Sequence, residues 1–302
     1  MRSSFHRRGK RAAVRRRKWP LAVAVLLLLA FGACIGLRAA LLSDLRLLQG
    51  LSDSSLFFQN GAPGQAVLSA LTGIPANKLD RSAFTKQANG RIAYQGPGNA
   101  IQGVDVSSYQ GAIDWDKVKQ DGIGFAVIRV AARGYQTDGV LAEDPNWKVN
   151  LEGAVAAGLP VGVYLFSQAI SPEEAREEAA FVLDRIKGYP VTYPVVFDWE
   201  PFEHSARTDD ITSEALTDAC IAFCEAVQAE GYTPMVYCNL SIGLLQYDLH
   251  RLAKYDFWLA QYNDVPTFYG AFQIWQYSNT GRVEGISTKV DLNLCFAEYP
   301  AK

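Results

Sequence analysis

Tyr193-Pro194-Val195-Val196-Phe197-Asp198-Trp199-Glu200-Pro201 is an apolar, β-branched and aromatic run that stops at a proline just as two carboxylates appear. Such a run reads as a buried strand. Successive side chains of a strand point to opposite faces, so Asp198 and Glu200 share one face, about 7 Å apart along the backbone, and Trp199 takes the other. Two acids therefore stand side by side at the C-terminal end of a strand. Like charge and partial burial push the pKa values of such a pair apart, leaving one carboxyl protonated and the other ionised. That is the equipment for cleaving a glycosidic bond, in which an acid protonates the leaving oxygen and a carboxylate supports positive charge on the sugar. Taken alone, the same residues also fit a solvated strand end.

The sequence around this stretch supplies a frame. From residue 100, strand-like runs occur at 103–107, 125–131, 160–167, 194–200 and 234–239, each followed by a helical pattern, at 114–121, 145–157, 173–187, 213–230 and 241–253. Ser171 before Pro172, with Glu174 three residues on, reads as a capping box with proline at the first helical position. Gly158 and Gly231 close two helices. Three more strands, 257–262, 272–278 and 290–295, follow with too little sequence between them for full helices. The pattern predicts an α/β fold, an irregular TIM-like barrel of the form (β/α)5β3. A barrel carries its site at the C-terminal ends of its strands. Asp105 lies in the first strand and Asp291 in the last, and these two strands adjoin in a closed barrel. Asp105, Asp198, Glu200 and Asp291 are thus expected at one mouth.

Upstream of the barrel the chain changes character. Nine bases precede residue 19 and no acid occurs before Asp44. Without those nine and Arg38, 19 bases face 31 acids, so the body is acidic and a nucleic-acid role is not expected of it. Residues 21–37 are uncharged, and residues 19–42 read as a single membrane span, with the basic tail 1–18 holding the N-terminus in the cytoplasm. The rival reading is a cleaved signal peptide. The expected location is the cell membrane, single-pass, with the barrel domain 100–302 outside. Residues 43–99 mix one amphipathic piece with turn-formers and read as a spacer, reaching up to roughly 190 Å if fully extended. Cys220, Cys224, Cys238 and Cys295 permit disulfides that the sequence cannot pair, and Cys220 and Cys224, one helical turn apart, equally fit buried thiols.

Gly103-Val104-Asp105-Val106-Ser107-Ser108-Tyr109-Gln110-Gly111, Ile113-Asp114-Trp115, Asp198-Trp199-Glu200, Ile274-Trp275-Gln276-Tyr277-Ser278 and Val290-Asp291-Leu292-Asn293, in this order, resemble family 25 of the glycoside hydrolases, the N-acetylmuramidase lysozymes. The resemblance runs from Gln102 to Phe296. It implies a flattened barrel with five helices and cleavage of the β-1,4 bond between N-acetylmuramic acid and N-acetylglucosamine in peptidoglycan glycan strands. On the matching positions it implies Glu200 as general acid, with Asp198 orienting the substrate's acetamido group. Asp105 and Asp291 would position that pair, and Tyr164 would stand close to the reacting sugar. The chain departs from the family at Leu165, where a histidine or another polar residue is common.

Other candidates are weaker. Tyr237, Tyr262 and Trp275, with Tyr135, Trp199 and Tyr277, have flat faces suited to pyranose rings, although packing explains any one of them equally well. Trp275 and Tyr277 alternate with Ile274 and Gln276, so one pair faces inward, and Gln276 is expected near the cleft. Arg129 and Arg133 suit contact with an acidic substrate group or pairing with strand-end acids, and the pairing is the expectation. His204 is a candidate substrate contact. The chemistry calls for no metal or organic cofactor. Two rival functions stay open: a glycan-binding module without turnover, and a hydrolase of another N-acetylated polysaccharide.

Overall fold

The computed structural model describes residues 58–59, 62–63, 71, 73–202 and 205–299. The basic tail, the expected membrane span and His204 lie outside the described residues. Among those that are described, no helix is long and apolar enough to cross a membrane.

Eight strands form the barrel: β1 (Ile101–Val106), β2 (Phe125–Arg133), β3 (Val161–Ser167), β4 (Val191–Trp199), β5 (Pro234–Asn239), β6 (Asp256–Ala260), β7 (Ile274–Gly281) and β8 (Val290–Cys295). Helices α1 (Trp115–Gln120), α2 (Trp147–Ala156), α3 (Pro172–Ile186), α4 (Ser213–Ala229) and α5 (Leu249–Leu252) follow the first five strands in turn. The observed order is the expected one. β1 to β7 pair in parallel around the sheet, and β8 closes it by running antiparallel to both β7 and β1. The start of β8, not its end, therefore lies at the mouth.

Phe125, Val127, Val196, Met235, Trp258 and Ile274 fill the barrel, all of them buried. Gly103 makes room at its base, because a Cβ there would stand 2.2 Å from the Phe125 ring. Along β4 the register with β3 jumps from Val161–Val191 to Val163–Val195, a bulge that resets which residues face inward. Beyond it, Val196 joins the core while Phe197 packs outward on Phe223 of α4, ring centres 5.3 Å apart.

The helix ends largely follow their signals. Ser171 Oγ accepts from the Glu174 N–H at 3.3 Å with Pro172 in the first turn, whereas the Glu174 carboxylate takes the N–H of Ile170 and leaves the box half made. The helix expected over 241–253 is broken. A five-residue π turn, Ile242–Gln246, gives way to extended Tyr247, and Asp248 then caps the single turn of α5 by accepting from the His250 and Arg251 N–H groups.

The part of the expected spacer that is described from residue 73 onward packs on the barrel. Phe84–Lys86 and Ile92–Tyr94 pair as an antiparallel hairpin. Phe84 packs edge-on against Trp275 at 5.4 Å, and the Ile92 carbonyl accepts from Gln102 Nε2 at 2.6 Å. Arg91 forms an ion pair with Asp121 at the end of α1. Cys220, Cys224, Cys238 and Cys295 are buried free thiols.

Candidate active site

β4 delivers its two acids as the alternation requires. Asp198 follows Val196 onto the inner face, and Glu200 continues that parity just past the end of the strand. Trp199 is buried on the other side. Glu200 is fixed through its main chain: Gln168 Nε2 donates to the Glu200 carbonyl at 2.8 Å, and Thr208 Oγ1 donates to Gln168 Oε1 at 2.8 Å. Asp198 is 6% exposed, and its Oδ1 accepts no hydrogen bond from any described residue. Burial, then the charges of Glu200 and Asp105, push the Asp198 carboxyl well above the ordinary range. Burial and then Asp105 raise Glu200 as well.

Asp105 and Asp291 face each other as register partners across β1 and β8. Two like charges placed directly opposite cannot both persist at low cost, so the pair shares a proton. The amides decide which oxygen stays bare. The Trp258 indole N–H, which can only donate, reaches Asn293 Oδ1 at 2.8 Å, so the Asn293 amide N–H points at Asp105 Oδ2, 2.7 Å away. Tyr237 and Tyr262 donate their hydroxyls to Gln276 Oε1 at 3.1 and 3.0 Å, and Gln276 Nε2 donates to the same Asp105 Oδ2 at 3.0 Å. Burial raises Asp105, and the bonds from Asn293, Gln276 and Asp291 pull it back. Asp291 is pushed up to about 9, by burial first and then by Asp105. The donors on Asp105 favour its ionised form, and the charge of Asp105 beside Asp291 favours the protonated form there.

The structure brings Asp105, Asp291, Gln276, Tyr237 and Tyr262 into one hydrogen-bonded network. Tyr164 stands beside it, packed edge-on to Trp258 at 6.1 Å, its hydroxyl pushed well up by burial and then by Asp105. Trp275 does not join them. It is fully buried on the outer face of β7, against the hairpin, and donates to the Gln261 carbonyl at 2.9 Å. Tyr277 shares that outer face and bonds Gln102. Arg129 pairs with Asp144, just past the short strand Leu141–Glu143, as expected, whereas the acids that hold Arg133 are Glu177 and Glu178 of α3 and not strand-end ones. Asn293 and Gln168 received no role from the sequence. For Asn293 a signal existed, since it lies two residues past Asp291 and so on the same face; for Gln168 there was none.

The profile of Glycosyl hydrolases family 25 matches residues 104–286, from the second half of β1 through the Asp198–Glu200 stretch and β7. The chain belongs to this family. Among relatives of this family 25 domain, Lysozyme M1 of Streptomyces globisporus is 29% identical over 208 residues, 65% of this chain and 67% of that protein. The autolytic lysozyme of Clostridium acetobutylicum is 27% identical over 64% of this chain, which spans only 55% of that protein's length. The bacterial lysozyme of Streptomyces coelicolor superposes with a TM-score of 0.54 at 26% identity, covering 66% of this chain and 94% of its own. The autolysin LytC of Streptococcus pneumoniae, solved with a synthetic peptidoglycan ligand, shares the fold with a TM-score of 0.57 at 22% identity, over 70% of this chain and 52% of its own.

Proposed function

We propose that this chain is a peptidoglycan hydrolase of the lysozyme type, cleaving the β-1,4 bond between N-acetylmuramic acid and N-acetylglucosamine, with Glu200 as the general acid. The observation that carries the reading is the buried Asp198 carboxyl and the half-buried Glu200 carboxyl at the end of β4, together with the paired Asp105 and Asp291. The lysozyme names of two relatives support the substrate class.

In the occupied mouth, the substrate's acetamido N–H supplies the donor that Asp198 Oδ1 lacks. That bond ionises Asp198, leaves the proton on Glu200 and turns the acetamido oxygen toward the anomeric carbon. Glu200 protonates the leaving oxygen as the glycosidic bond breaks, and the acetamido oxygen closes on the carbon. Water then opens the resulting ring and returns a proton to Glu200. Tyr164, Tyr237 and Tyr262 wall the reacting sugar, and Gln276 transmits their position to Asp105. Residues 19–42 act as the membrane anchor in this proposal, supported by the nine bases that precede the apolar run.

The test is incubation of the full chain with purified peptidoglycan, borohydride reduction and mass spectrometry of the products. Fragments ending in reduced N-acetylmuramic acid are expected. Fragments ending in reduced N-acetylglucosamine would reassign the bond, and a folded protein that releases none would be a binding module.

A further inference from the structure

Two exposed rings on the rim of the mouth take no part in the chemistry above. Tyr135, in the loop after β2, and Phe202, two residues past Glu200, stack with ring centres 3.9 Å apart and planes 10° from parallel. Each remains more than a third exposed, at 38% and 36%. Leaving flat apolar rings in water forgoes the gain from burying them, so their retention on a rim calls for an occupant.

Described residues near the two rings are tied to one helix. The Arg207 N–H donates to the Tyr135 carbonyl at 2.9 Å, and the Arg207 guanidinium bonds Glu174 of α3 at 2.6 Å. Arg133, the last residue of β2, is tied to Glu177 and Glu178 of the same helix at 2.7 Å each. One helix thus holds Arg133, two residues before Tyr135, and Arg207, which bonds the Tyr135 carbonyl, so the Tyr135 side of the stack is fixed before anything binds.

We propose that the Tyr135–Phe202 pair is a distal sugar platform, receiving a pyranose ring of the glycan strand beyond the two sugars that flank the scissile bond. The inference rests on the lysozyme reading of the mouth and adds to it where the strand leaves the site. Two residues of extended chain span about 7 Å, so Phe202 lies beside the general acid yet outside the carboxylate cluster. A polymer threaded past Glu200 continues over it. The C–H face of a hexopyranose ring is flat and apolar, and it matches the face of an aromatic ring better than that of a branched aliphatic chain.

The experiment compares kcat/KM of the full chain on long uncrosslinked glycan strands with that on the shortest oligosaccharide it cleaves. Phe202→Leu keeps apolar volume on the rim and removes the flat face; Tyr135→Ala removes the other half of the stack; Tyr135→Phe keeps it. The long-to-short ratio is expected to fall about tenfold in the first two variants and to hold in Tyr135→Phe, about what one aromatic contact supplies. An unchanged ratio in Phe202→Leu and Tyr135→Ala, whether both substrates slow together or neither does, overturns the platform. If the unaltered protein cleaves neither substrate, the lysozyme reading fails separately. Equilibrium binding of long strands then decides: weaker binding by Phe202→Leu keeps the platform, and equal binding removes it.

Discussion

On the β1–β8 side of the mouth, Asp105 accepts from Asn293 and Gln276 and shares a proton with Asp291. On the β4 side, Asp198 Oδ1 receives no donor from the described residues, and Glu200 is fixed through its main-chain carbonyl. Protein hydrogen bonds complete the first pair and leave the second incomplete. A buried acceptor without a donor costs about 1–3 kcal/mol. Such a cost is tolerable where a substrate brings the missing donor, and on that ground we propose the incomplete pair as the reacting one and the completed pair as its support.

The largest effect expected from this contrast is on the β4 side. Glu200→Gln should lower kcat by about 10²–10⁴ with the melting temperature unchanged, the range that a positioned general acid supplies. Full activity in that variant would break the contrast outright. Because burial raises Glu200, the wild-type rate should fall as pH rises through its folded-state value, and a pH–rate profile reads that limb.

Asp198→Asn should lower kcat by about 10²–10³, as for loss of a group aimed at developing charge. It should also move the urea midpoint upward at neutral pH. The amide mimics the protonated form that burial favours, whereas the acid must be held neutral or ionise in the dark of the core. A lower midpoint would mean that Asp198 is a satisfied structural acid.

On the support side the readout is stability against pH. Asp291 is raised from 3.8 to about 9, so the folded chain holds a proton that the unfolded chain has lost. Its contribution is fully present below about pH 4 and drains away as pH rises toward about 9. Asp291→Asn should flatten the fall of melting temperature with pH across that window; an unaltered slope would unlink the pair. Asn293→Leu should have the smallest effect, costing about 1–3 kcal/mol by denaturant titration, because it strands the Trp258 N–H and removes one donor to Asp105. A cost confined to kcat would place Asn293 on the reacting side instead.

Much of this arrangement was legible because it depends on short-range periodicity. The shared face of Asp198 and Glu200 needs only three residues of strand, and it survives the bulge earlier in β4. The strand and helix order needed only the change of period from two to three or four. What depends on distant partners was not legible. A strand's sequence does not state its direction, so the reversal of β8 could not be read. Trp275 and Gln276 alternate, and which faces inward was settled by a hairpin whose inward apolar residues, Phe84 and Ile92, sit in strands of three residues, too short to show a pattern. Gln168 acquires its role only from Glu200 and Thr208, which lie far along the chain.

The reversal of β8 has a consequence for how the domain is presented. Ile101 pairs with Cys295, so the chain enters the barrel and leaves it at the same end, opposite the mouth. The four carboxylates lie toward the other end, away from the Ile101–Cys295 pair. Under the proposed anchoring, the segment leading from the anchor joins the barrel at the end away from the site, so changes in that segment alter reach without touching the carboxylates.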